Sequence, residues 1–219
     1  MIKLNEYWHV PEIDFISEKV KNSNEESNYE MVFRKFVKEN HPNKNVMIDI
    51  GANIGIYSRS CSSFFKEVHA FEPVEKIFNC LKKNTENCNN VFLYKCGIGT
   101  RETDARFLYN KKNCGNTKQI TESNITNENI FLSEIYPLNT FKFDDVNYIK
   151  IDVEGFEIQV LKNSKEIIER FMPWIQVEVN TDLAEIQNVI KSFGNFDIID
   201  LKNKHNKLFV PTTGKNILI

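Results

Sequence analysis

No two cysteines in this chain stand at metal-ligand or redox spacing. The five present (Cys61, Cys80, Cys88, Cys96 and Cys114) are odd in number and form no Cys-x-x-Cys pair. Neither a disulfide framework nor a zinc site is indicated, and reduced, mostly buried thiols are expected. No run approaches the ~18 apolar residues of a membrane span. The opening Met1-Ile2-Lys3-Leu4-Asn5-Glu6-Tyr7-Trp8 meets charge before any apolar stretch develops, so a soluble, cytoplasmic protein is expected. A basic excess is missing too: 28 Lys and Arg face 30 Asp and Glu, a net charge of −2. That argues against a chain built to coat nucleic acid, although a local basic patch remains compatible with it. His9, His41, His69 and His205 show no ligand spacing; all four read as structural or surface residues, and no metal is expected. There is no internal repeat.

What is present is an ordinary globular balance, 41% hydrophobic and 26% charged over 219 residues. This suits one sizeable α/β domain and is too short for two generous ones. Residues 1–44 are polar and read as an N-terminal helical extension or cap, with a helix from about Glu30 to Lys38 that His41-Pro42 stops. Residues 45–219 read as the main domain. Strands are expected at Val46–Ile50, Glu67–Phe71, Val91–Tyr94, Tyr148–Asp152 and Trp174–Val179. Helices are expected at about Ile56–Phe65, Val74–Thr85, Phe156–Asn163 and Leu183–Ser192. Phe196–Leu201 and Lys207–Val210 would close the chain as an antiparallel hairpin. This alternation implies βαβ units: a doubly wound, mainly parallel sheet with helices on both faces. The stretch 99–140, rich in Asn, Thr, Lys and Gly, is expected to hold strand or loop excursions that shape a pocket.

The chemistry concentrates at strand ends, where a doubly wound sheet binds its ligands. Asp49-Ile50-Gly51-Ala52-Asn53-Ile54-Gly55 follows the first strand. Gly51 and Gly55 let the backbone approach a ligand and turn into a helix, whose free N–H groups suit a carboxylate or phosphate. Asp49 offers an acceptor for an ammonium group. A dinucleotide fingerprint is Gly-x-Gly-x-x-Gly; this segment lacks that spacing, and an acid in front of the turn suits a cationic sulfonium better than a pyrophosphate. Glu72 ends the second strand about 20 residues further on, where an acid holds ribose hydroxyls. Gly97 and Ile98 follow the third strand, near the expected adenine. Asp152 ends the fourth strand as a candidate general base or positioner of a substrate hydroxyl. Glu154 is a candidate to orient substrate or hold Lys150. With the backbone extended, the side chains of Asp152 and Glu154 would point to opposite sides. Glu178 and Asn180 close the fifth strand as candidates for the acceptor pocket.

Several blocks, in order, resemble the FkbM family of methyltransferases. They are Val46–Gly55, Ala70-Phe71-Glu72-Pro73, Pro137-Leu138-Asn139-Thr140-Phe141, Lys150-Ile151-Asp152-Val153-Glu154-Gly155-Phe156-Glu157 with Val160-Leu161-Lys162-Asn163, and Glu178-Val179. The similarity runs over about residues 28–180. It implies the class I methyltransferase fold, Rossmann-like with a seven-stranded sheet, and S-adenosylmethionine as cofactor. It also implies O-methylation of a sugar, glycan or secondary metabolite. By the same resemblance Asp49, Gly51, Asn53, Gly55 and Glu72 bind the cofactor, while Asp152 and Glu154 face the transfer site. One block departs: the family's Thr-Leu-Asp segment reads Thr140-Phe141-Lys142-Phe143-Asp144 here. Two other readings stay open, an RNA ribose methyltransferase on the same scaffold and a non-catalytic nucleoside-binding protein. Against the first stand the charge balance and the missing Asn-Pro-Pro-Tyr-like motif, so a small-molecule or glycan acceptor is expected rather than nucleic acid. An NAD-dependent oxidoreductase fits least, because the glycine spacing is wrong and no Tyr-x-x-x-Lys occurs.

Overall fold

The computed structural model describes residues 1–24, 26–100, 102–121, 129–180 and 182–212. Two short strands, β1 (Ile2–Lys3) and β2 (His9–Val10), pair antiparallel and lead into helices α1 (Phe15–Val20) and α2 (Met31–Asn40). Then β3 (Val46–Ile50), α3 (Ile56–Cys61), β4 (Glu67–Phe71), α4 (Glu75–Asn84) and β5 (Val91–Tyr94) alternate. An all-β insertion follows: β6 (Gly97–Ile98), β7 (Thr103–Leu108), β8 (Lys118–Ile120) and β9 (Ile130–Tyr136). Alternation resumes with β10 (Val146–Ile151), α5 (Glu157–Asn163), α6 (Lys165–Phe171), β11 (Trp174–Glu178) and α7 (Leu183–Lys191). The chain closes on β12 (Phe196–Ile199) and β13 (Asn206–Pro211).

Seven strands form the central sheet in the order β12-β13-β11-β10-β3-β4-β5. Strands β5, β4, β3, β10 and β11 run parallel, while β13 runs against both β11 and β12. The doubly wound sheet and its terminal antiparallel hairpin are as expected. β3 and β10 are buried at every position, the mark of strands covered on both faces. On the covering helices the buried positions recur at helical spacing: Ile77, Cys80, Leu81 and Asn84 on α4, Ile186 and Ile190 on α7. The chain winds outward through β4 and β5, then crosses back to lay β10 on the other side of β3. That reversal puts the switch point, and the crevice that comes with it, at the carboxyl ends of β3 and β10.

Besides the β1–β2 pair and α1, two parts of the fold go further than the sequence reading, which expects strand or loop excursions over 99–140 without placing them. The insertion is a separate sheet in the order β6-β9-β7-β8, which packs Ala105, Phe107 and Ile135 inward. A further helix, α6, follows α5 with only Ser164 between them; it buries just Ile167 and Ile168 in a charged segment. The first 44 residues, expected as an appended cap, share core with the sheet domain. Trp8, Val10 and Ile16 cluster with Ile54, Ile77 and Phe107, while Phe33 and Val37 cluster with Met47, Val68 and Trp174. Asn84 on α4 ties this segment down, donating to the His9 carbonyl at 2.9 Å and accepting from the His9 amide at 2.7 Å.

Candidate active site

A cavity of about 530 Å³ opens at the carboxyl ends of the central strands, a size that suits a nucleoside-scale ligand. Its floor is the turn after β3. Gly51 adopts φ +79°, and a Cβ there would lie 1.8 Å from the Asp152 carbonyl oxygen. Only glycine therefore lets the β3 and β10 strand ends close against each other. The amides of Gly51 and Ala52 both donate to Phe71 O at 3.0 Å, stitching the turn to β4. Asn53, at φ +51°, sends its own amide to Glu72 Oε2 at 3.1 Å. Its side-chain nitrogen donates to Cys114 O at 3.1 Å, and its side-chain oxygen accepts from the Ile54 amide at 2.7 Å.

Glu72 lies beside this turn, buried, and also accepts from Val74 N at 2.9 Å. Burial pushes its carboxyl up to about 7, against the opposing pull of those two backbone donors. Gly97 and Ile98, both buried, line the same end of the cavity. Gly51, Asn53, Glu72, Gly97 and Ile98 thus converge there.

Two other predicted residues do not line it. Asp49 is fully buried with its side chain behind the floor, where Oδ2 accepts from Ser58 Oγ at 2.6 Å and Oδ1 lies 3.9 Å from Lys150 Nζ. Gly55, at φ +90°, starts α3 away from the cavity, and a Cβ there would strike Leu81 Cδ1 at 2.7 Å. The second glycine of the motif packs a helix rather than admitting a ligand.

At the other end the carboxylates gather. Lys150 Nζ donates to Asp152 Oδ2 at 2.9 Å and sits 4.8 Å from the centroid of the Tyr57 ring. Burial disfavours its charged form, but Asp152, Asp49 and Glu30 outweigh that and hold the ammonium above its ordinary value. The sequence makes Glu154 a candidate either to orient substrate or to hold Lys150; in the structure Lys150 bonds Asp152 instead.

The backbone does not stay extended after Asp152. Glu154 at φ +52° and Gly155 at φ +101° turn the chain back, so the two acids face one another rather than opposite sides. Asp152, Glu154 and Glu178 each offer a carboxylate oxygen within 4.8 Å of the others. Asn180 Nδ2 spans two of them, at 2.6 Å from Glu178 Oε2 and 3.3 Å from Glu154 Oε2. Burial, with the charges of Asp152 and Glu157, pushes Glu154 up to about 7. Burial and the charge of Asp152 also push Glu178 upward. This spacing of three half-buried carboxylates has room for a divalent cation.

Sequence reasoning missed the residues that the N-terminal segment brings. Phe15, Lys19, Tyr29 and Glu30 line the cavity, as do Asn116 and Thr117 from the insertion. His205, read as a surface residue, is exposed at the cavity's rim. No local spacing flags Glu30, whose partners lie far along the chain: Tyr57 Oη donates to it at 3.0 Å and Asn206 Nδ2 at 2.9 Å. The stretch 99–140, expected to shape a pocket, falls partly outside the described residues, at 101 and 122–128.

A seven-stranded doubly wound sheet with one reversed strand, and a glycine turn and acids at its switch point, define the class I methyltransferase fold. The methyltransferase FkbM domain matches residues 49–205, and the chain belongs to that family. It is 28% identical over 127 residues to the hexuronic acid methyltransferase AglP of Haloferax volcanii, covering 57% of this chain and 52% of that protein. It is 24% identical over 147 residues to Methyltransferase 1 of Beauveria bassiana, covering 55% and 59% respectively. The chain thus spans about half the length of the curated relatives it matches. Among solved structures, the FkbM methyltransferase from Methylobacillus flagellatus KT superposes with a TM-score of 0.57 at 20% identity, covering 76% of this chain and 43% of that one. SMU.1697c of Streptococcus mutans, solved in complex with SAH, superposes at 0.50 with 11% identity, covering 82% and 94%.

Proposed function

We propose that this chain is an S-adenosylmethionine-dependent O-methyltransferase that moves a methyl group to a hydroxyl of a sugar, glycan or related metabolite. The observation that carries it is the convergence of Gly51, Asn53, Glu72 and Asp152 on one cavity at the switch point of this fold. Glu72 would take the ribose hydroxyls. Its oxygens already accept one backbone N–H each, and each keeps a lone pair for a further donor. Gly97 and Ile98 would border the adenine, which places the methionine end over Gly51, toward β10.

When bound, the cofactor supplies an electrophilic methyl on a sulfonium. The protein's part is alignment and proton transfer. Asp152, anchored by Lys150, would hold the acceptor hydroxyl in line. Glu154, with its carboxyl raised to about 7, is matched to accept the hydroxyl proton near neutral pH. Glu178 and Asn180 would orient the rest of the acceptor. A sugar-type acceptor is supported by the kinship with a hexuronic acid methyltransferase and by the amide-rich rim of Asn116, Asn180 and Asn203. The test is transfer of labelled methyl from S-adenosylmethionine to a panel of neutral sugars, uronic acids and their glycosides. Incorporation into hydroxyl oxygens of that panel supports the reading; incorporation into RNA and not into sugars overturns its acceptor.

A further inference from the structure

Resting on the cofactor reading above, the structure points to a fourth point of attachment. We propose that Glu30, from the segment preceding the sheet domain, receives the α-ammonium of the cofactor's methionine end. With the ribose at Glu72 and the transfer site at Asp152, the amino-acid tail lies over Gly51 and Tyr57 and needs an anionic partner there. Asp49, the obvious candidate in the sequence, lies behind the floor and does not line the cavity. Five carboxylates do: Glu30, Glu72, Asp152, Glu154 and Glu178. Glu72 sits at the ribose end. Asp152 is paired with Lys150, and Glu154 and Glu178 are bridged by Asn180 on the acceptor side. Glu30 remains.

Its setting fits the task. Glu30 adopts φ +50° at the start of α2, a left-handed conformation that is unfavourable for a non-glycine residue and persists only where the surroundings impose it. Arg34 imposes it from one turn along α2, donating to the carbonyls of Ser27 and Tyr29. Tyr57 Oη and Asn206 Nδ2 then fix the two carboxylate oxygens, one each. Gln176 donates to both Tyr57 Oη and Asn206 Oδ1 at 2.9 Å, so the group is braced from α3, β11 and β13 together. A carboxylate has about four acceptor sites, so two are free for an ammonium. Among the described residues, Lys150 on the floor and Arg34 behind Glu30 are the two basic groups set against the three acids Glu30, Asp49 and Asp152, which leaves room for a further cation.

The test is calorimetric titration of the full chain and of Glu30→Gln with two ligands, S-adenosylhomocysteine and its desamino analogue, which keeps the carboxylate but lacks the ammonium. Loss of a charge-assisted contact should weaken S-adenosylhomocysteine by about tenfold to a hundredfold in the variant. Binding of the desamino analogue should change by less than about twofold, since the missing contact was never made. Equal losses for both ligands would mean that Glu30 only supports the scaffold, and no loss for either would remove it from the site; each overturns the proposal. Should Glu30→Gln fail to fold by circular dichroism, Glu30→Asp retains the charge one methylene short and should show the same selectivity at smaller size. If the unmodified chain binds neither ligand, the cofactor reading itself fails, an outcome distinct from unselective loss in the variant.

Discussion

Gly51 and Asp152 meet backbone to backbone: a Cβ on Gly51 would lie 1.8 Å from the Asp152 carbonyl oxygen. The floor of the cavity and its transfer-site acid are therefore one structural unit, joined across the β3–β10 reversal. Gly51→Ala has to separate the two strand ends and also adopt φ +79°, so it should destabilise by about 3 kcal/mol or more. Gly155→Ala is the control, because nothing lies within 4 Å of its Cβ and only the backbone conformation resists it. A loss of about 1 kcal/mol is expected there. Urea unfolding of both variants checks the order.

Lys150 is the cation that makes this acidic floor tolerable. Lys150→Met would leave Asp49 and Asp152 without their counterion, Asp49 being wholly buried. A loss of about 3–5 kcal/mol is expected. Adding Asp49→Asn to that variant removes the stranded charge and should recover part of the loss. A double variant no more stable than Lys150→Met, by thermal unfolding, would contradict this account of Lys150.

Glu72 gives the protein a signed pH dependence. Burial raises its carboxyl to about 7 from 4.5, so the fold prefers it neutral. Its contribution to stability is full below the ordinary value and is lost as the pH rises through about 7. Without cofactor, the protein should lose up to about 3 kcal/mol more over that interval than Glu72→Gln does. Cofactor binding should run the other way, because the ionised carboxylate is the better acceptor for ribose hydroxyls and the better partner for a cation. Affinity for S-adenosylmethionine should rise from pH 6 to 8, and that rise should flatten in Glu72→Gln.

Much of this was legible in the sequence, and the reasons are local. Val46–Ile50, Glu67–Phe71 and Val91–Tyr94 declare themselves as short, mostly apolar runs, and the acids Asp49 and Glu72 stand at the ends of the first two. What was not legible depends on contacts made at a distance. Asp49 reads as a ligand residue, yet its side chain faces Ser58 and Lys150, and only the packed sheet decides that. Glu154 reads as facing away from Asp152 because alternation holds in a strand, whereas a left-handed turn follows. Glu30 sits 176 positions from its partner Asn206. The insertion strands were hidden because β7 buries only Ala105 and Phe107, set among Thr103, Asp104 and Arg106.

The transfer-site acids should separate chemistry from binding. Glu154→Gln and Asp152→Asn are each expected to lower kcat by about 10²-fold or more if they act on the acceptor hydroxyl. Both should leave affinity for S-adenosylhomocysteine within about threefold, because neither is placed against the cofactor's ribose or base. Glu154→Gln should also remove the activity limb near pH 7. Unchanged turnover in either variant would take that residue out of the reaction.

The most direct test of the central claim is calorimetric titration of the purified chain with S-adenosylmethionine, S-adenosylhomocysteine and NAD in parallel. The account predicts saturable binding of the first two at one site, lost in Gly51→Ala or weakened in Glu72→Gln, and no binding of NAD. Binding of NAD alone, or of none of the three, would contradict it.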